Sequence, residues 1–188
     1  MRIGYLSAEG VGGTDLLLHD LATRAAARGL RLCGTVQTNS DCGPDRPCDM
    51  DVRILPDGPV IRISQSLGPG ARGCRLDPDA LEQAVAQTAA RLGAGCDLLI
   101  VNKFGKQECD GRGFRGLIAD ALAAGVPVLV GVNRRNLAAF HTFTADMAEP
   151  VAADARALDT WLATLPAVTR AGRAARSGDH ALDRGAEG

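Results

Sequence analysis

Lys103 and Lys106 are the two lysines of a chain whose 21 basic residues are otherwise all arginine. They lie three positions apart in Asn102-Lys103-Phe104-Gly105-Lys106-Gln107-Glu108, directly after the apolar run 97–101. Lysine is a compact point charge, so it neutralises a phosphate by reach rather than by planar fit. A pair of them just beyond a buried strand suits charge neutralisation of an anionic ligand. Two solvated lysines on a surface turn are the plain alternative, and their isolation in an arginine-rich chain counts against it. Lys103, Lys106 and Glu108 are therefore the candidate catalytic residues. Asn102 can orient a water or hydroxyl but brings no charge to a metal. Downstream, Gly-Arg-Gly-Phe-Arg places Arg112 and Arg115 at a helix start, where dipole and guanidinium both favour an anion.

Two further loops fall after predicted strands. Ser7-Ala-Glu-Gly10-Val-Gly12-Gly13-Thr14 occupies the strand-to-helix position of the phosphate loop G-x-x-x-x-G-K-[ST]. There, backbone N–H groups wrap a phosphate, a lysine neutralises it and a hydroxyl binds Mg²⁺. Aligned on that pattern, Ser7 replaces the first glycine, Gly12 keeps the second, Gly13 replaces the lysine and Thr14 keeps the hydroxyl. In phosphate-loop proteins the strand beside the first ends in an acid that holds Mg²⁺. Here the corresponding strand ends in Asn102-Lys103. The other loop, 64–75, carries glycines, hydroxyls, Arg72 and Arg75 just before a helix, a donor set suited to an oxyanion. Arg134 and Arg135 follow a later strand and read as a solvated helix entry.

Six cysteines are scattered without a C-x-x-C pair. Free thiols are the expectation, with Cys42, Cys48 and Cys74 as a candidate metal or redox set. His19 and His141 have no cysteine or carboxylate at ligand spacing, and His180 falls in the C-terminal tail.

These loops need a frame. The chain has 188 residues, 46% hydrophobic and 23% charged, enough for one domain with a substantial core. A net charge of −1 and 3% aromatics argue against nucleic-acid binding, and the apolar runs are too short to span a membrane. No signal-peptide pattern opens the sequence, which implies a cytoplasmic protein. Strands over 2–7, 31–37, 97–101 and 126–133 alternate with helical stretches that begin at Thr14, Asp77, Gly113 and Asn136, and a last helix falls at 155–165. Asp77-Pro78 is a cap-and-first-turn signal, and Pro-Asp-Gly at 56–58 between alternating halves predicts a β-hairpin. The fold class is α/β, three-layered, with a mainly parallel sheet and the hairpin as an insertion. One domain covers 1–166, and 167–188 reads as a disordered tail.

The order of glycine loop, hairpin, "GARGCRLD", "DLLIVNKFGKQE" and "GVPVL" resembles the small P-loop nucleoside triphosphatases first described from hyperthermophiles, over roughly residues 2–135. Their stretch resembles D-E-I-G-K-M-E, so Asn102 and Lys103 stand at the two acids while Gly105, Lys106 and Glu108 match directly. More closely, "NKFGKQE-x-x-GRG" and "RISQ-LGPGA-GCRLD" are similar to an uncharacterised proteobacterial family encoded near molybdenum-uptake genes. The resemblance implies a P-loop-type protein binding a nucleotide or phosphorylated anion, with Mg²⁺ accompanying a nucleotide. Hydrolysis is expected to be weak or absent, because phosphoryl transfer depends on the charges missing here. The alternative is a non-enzymatic binder of molybdate, tungstate or a metal. The expected partner is a small anion, with nucleic acid and membrane excluded and self-association left open.

Overall fold

The computed structural model describes residues 2–8, 12–40, 49–65 and 75–165. A seven-stranded sheet runs β4(Val60–Arg62)-β3(Asp49–Ile54)-β2(Leu32–Ser40)-β5(Leu98–Phe104)-β6(Val128–Val132)-β1(Ile3–Leu6)-β7(Glu149–Pro150). Pairs among β2, β5, β6, β1 and β7 are parallel, whereas β3 and β4 are antiparallel. The hairpin predicted around Pro-Asp-Gly is β3–β4, and it widens the sheet beyond β2.

The side-chain period of two explains the layers. Leu98 and Ile100 of β5 pack with Leu18, Leu21, Leu158 and Trp161, which belong to α1(Gly13–Ala27) and α6(Ala155–Ala163). Leu99 and Val101 face the other way, toward Leu81, Leu117, Ile118 and Phe140. Those four come from α2(Pro78–Gly93), α4(Arg115–Ala123) and α5(Leu137–Thr144). Both faces of the central strands are thus covered, which is what a continuous apolar run requires. Asp77 caps α2, its carboxylate accepting from the N–H groups of Asp79 and Ala80.

Three details differ from the sequence expectation. First, β6 separates β1 from β5, so the strand ending in Asn102 is not beside the first strand. Second, β5 continues through Phe104, which puts Lys103 on the strand and Lys106 on the short helix α3(Lys106–Cys109). The pairing of β5 with β6 shifts register between Val101 and Phe104. This irregularity returns Phe104 to the face already occupied by Leu99 and Val101. Third, Cys33 and Cys96 form a disulfide, so free thiols is the wrong reading for that pair. Parallel pairing sets Cys33 opposite Leu99, and the turn entering β5 brings Cys96 back beside it. Cys109 is the free cysteine among the described residues. The tail expected at 167–188 lies outside the described residues.

Candidate functional site at the carboxyl ends of the strands

Gly12 initiates α1 with φ of +83°, a left-handed conformation that glycine adopts without a Cβ penalty. The first turn has no side-chain cap, which leaves backbone donors of the helix start without a partner from its own cap residue. The Thr14 hydroxyl accepts from the Ala8 N–H at 3.2 Å, closing the loop. Ser7 places a buried hydroxyl just past β1 that has no hydrogen-bond partner among the described residues. Gly10 lies outside the described residues.

The next residue, Asp15, is the one the sequence did not single out. It is 4% exposed, and its Oδ1 accepts from the side-chain amide of Asn102 at 2.8 Å. The Lys103 ammonium approaches the same oxygen at 3.7 Å. Asn102 follows Leu98 and Ile100 in the strand alternation, so it faces α1. Its Oδ1 accepts the Gln37 N–H at 2.9 Å, which fixes the amide from β2. Gly131 on β6 makes this meeting sterically feasible. A Cβ there would collide with the Asn102 carbonyl and lie 2.8 Å from Cγ2 of Thr14. The strand between β1 and β5 must therefore be bare at this level. The result is a carboxylate, an amide and an ammonium from two elements, gathered at the start of α1. Lys103 keeps 46% of its side chain exposed, and Lys106 is exposed at the start of α3.

Glu108 occupies a different position. It is 3% exposed, its Oε2 accepts the Gly105 N–H at 2.8 Å and its Oε1 accepts the Phe114 N–H at 3.0 Å. Burial pushes its carboxyl above the usual range, with the two backbone donors opposing that shift. Both oxygens thus serve to tie loop 105–114 to itself. Arg115 donates to the Glu108 carbonyl and lies over the ring of Phe143.

The remaining predicted residues are dispersed. Arg112 is exposed and pairs with Asp110 at 3.7 Å. Arg75 pairs with Asp49 at 3.4 Å, on the hairpin side of the sheet. Arg72, Cys42, Cys48 and Cys74 lie outside the described residues, and among the described residues no cluster of His, Cys, Asp or Glu has metal-binding geometry. Arg134 and Arg135 are exposed in a 3-10 turn. His19 is exposed, while Nε2 of His141 lies 3.4 Å from the Tyr5 hydroxyl. No helix among the described residues is long and apolar enough to cross a membrane. A cavity of about 470 Å³ lined by Arg2, Pro150 and Trp161 lies at the β7 edge, apart from these loops.

Strand order and helical layers match the α/β fold of solved small P-loop nucleoside triphosphatases. A human cancer-related nucleoside triphosphatase superposes with a TM-score of 0.62 at 20% identity, over 90% of this chain and 100% of that one. THEP1 from the hyperthermophile Aquifex aeolicus does so with a TM-score of 0.63 at 16% identity, over 88% and 99%. The chain belongs to the family described as "Protein of unknown function (DUF2478)", whose model matches residues 3–161. It is also 36% identical over 147 residues to the molybdenum import ATP-binding protein ModC 2 of Bradyrhizobium diazoefficiens. That match covers 78% of this chain but 16% of the relative, so the chain spans about a sixth of that protein.

The fold implies Mg²⁺ beside a nucleotide, and the donor set can be tested against that. Mg²⁺ requires near-octahedral oxygen ligands, supplied in P-loop proteins by the loop hydroxyl, a strand-end aspartate and phosphates. Thr14 supplies the hydroxyl. By the sequence resemblance Asn102 takes the place of the aspartate, and both ends of its amide are engaged. The neighbouring carboxylate, Asp15, has Oδ1 held by an amide donor and an ammonium. A second cation placed there would meet Lys103. These residues do not fit the metal.

Proposed function

We propose that this protein binds a nucleotide or a similar phosphorylated anion at the carboxyl ends of β1 and β5, with weak or no hydrolysis. The observation that carries this reading is the Asp15–Asn102–Lys103 cluster at the start of α1. A helix N-terminus with glycine loop and hydroxyl is an anion site by its own dipole and N–H groups. Lys103 adds the positive charge that Gly13 does not. Ser7, Gly12, Gly13 and Thr14 stand on the phosphate side, and Gly10 is assigned to it from the sequence pattern. Lys106 and Arg112 lie on the adjoining loop, and Arg72 and Arg75 are proposed as further cations from the 64–75 loop. The same cluster limits catalysis. Phosphoryl transfer is accelerated mainly by preorganised positive charge and by positioning of the nucleophile. Here part of that charge is spent on Asp15, and Glu108 is engaged by its own loop. A cytoplasmic location belongs to this reading.

Isothermal titration with ATP and GTP, in Mg²⁺ and again in EDTA, tests it. Saturable binding in either condition is expected. No saturable heat up to millimolar ligand in both would refute the reading.

The relative named for molybdenum import favours a second reading, in which the bound anion is molybdate or tungstate. Those ions take the same N–H, hydroxyl and guanidinium donors. Elemental analysis of protein purified without chelators separates the two readings: stoichiometric molybdenum or tungsten supports the second.

A further inference from the structure

We infer that Lys103 takes the place of the divalent ion, so that the phosphorylated ligand is bound without Mg²⁺. This rests on the proposed anion-binding reading and concerns its electrostatics. In a P-loop site the metal bridges phosphate oxygens and a strand-end carboxylate, cancelling charge on both. In this chain an ammonium is already covalently attached at that strand end. Its Nζ lies 3.7 Å from Asp15 Oδ1, the carboxylate that faces the strand end from α1. Asn102, 2% exposed, has no charge to offer a metal and holds Asp15 in place through a 2.8 Å hydrogen bond.

The substitutions are mutually consistent. The loop lysine is absent at Gly13, the strand acid is absent at Asn102, and a lysine follows that asparagine directly. The Asp15 carboxylate stands beside the Lys103 ammonium at this strand end. With asparagine at the strand end and Lys103 beside Asp15, the acid that the site does hold already has an ammonium at 3.7 Å. Lys103, 46% exposed, can present its remaining N–H donors to a phosphate while its ammonium stays beside Asp15, because its stem is flexible.

The two accounts predict opposite salt forms of the ligand. A metal-requiring site prefers Mg·ATP, whereas a lysine-neutralised site prefers the more negative free ATP. Titration of the full chain with ATP in EDTA is expected to give an affinity equal to or up to about tenfold tighter than in excess Mg²⁺, each tenfold being one decade in Kd. Lys103→Ala should weaken binding in EDTA by about tenfold, and Lys103→Arg should retain most of it. Circular dichroism of both variants checks that the fold is kept, as expected for an exposed side chain. Binding seen with Mg²⁺ and lost in EDTA would overturn this inference and leave the anion-binding reading standing. Unchanged affinity in Lys103→Ala would also overturn it. Absence of binding in both conditions would remove the reading on which the inference rests.

Discussion

Asp15 and Glu108 are both carboxylates, both almost fully buried, and both near the carboxyl end of β5. Their partners differ. Glu108 is satisfied by two backbone N–H groups of its own loop, contacts that hold as long as the loop is folded. Asp15 is met instead by side chains from a strand 87 and 88 positions away, one a fixed amide and the other an exposed ammonium. A carboxylate locked by backbone donors stabilises structure. A carboxylate paired with a half-exposed ammonium leaves that cation within reach of a ligand. Burial alone does not separate the two cases; the identity of the partner does.

The comparison predicts unequal costs. Glu108→Ala leaves one buried and one part-buried N–H group unpaired and opens a void, so it should cost about 3 kcal/mol of stability. Asp15→Asn keeps the shape and the acceptor for Asn102, so about 1 kcal/mol is expected. Urea denaturation of both variants measures the gap, and equal losses would erase the distinction between clamp and accessible partner.

A smaller effect follows from pH. Burial raises the Glu108 carboxyl above its ordinary value of 4.5. Its contribution to stability is therefore complete below that value and is lost as pH rises through the raised one. Relative to Glu108→Gln, the unaltered protein should lose melting temperature on going from pH 4 toward neutrality. A flat difference would mean that the backbone donors, not burial, set this carboxyl.

Much of the frame is legible in the sequence because local rules decide it. The apolar runs place β5 and β6, Asp77-Pro78 starts α2, and Pro-Asp-Gly turns the hairpin. The motif that carries the resemblance, from Asn102 to Glu108, correctly pointed to the fold. What was not legible depends on three-dimensional neighbours. Asp15 reads as an ordinary acid in a first helical turn, favourable to the dipole. Nothing local announces that Asn102 will meet it across a bare Gly131. The order β5-β6-β1 and the two-residue β7 are likewise set by packing, since so short a strand carries no periodicity. The Cys33–Cys96 pair joins positions 63 apart that only parallel pairing of β2 and β5 brings together. Glu108 is close to the lysines in sequence, whereas the fold turns its carboxylate inward.

The central claim is that the loop before α1 and the end of β5 form one anion site. Backbone amide NMR of the full chain during titration with ATP in EDTA tests it most directly. The account predicts saturable shifts concentrated at Ser7, Gly12 to Asp15 and Asn102 to Lys106. Shifts confined to other surfaces, such as the cavity beside Arg2 and Trp161, would contradict it.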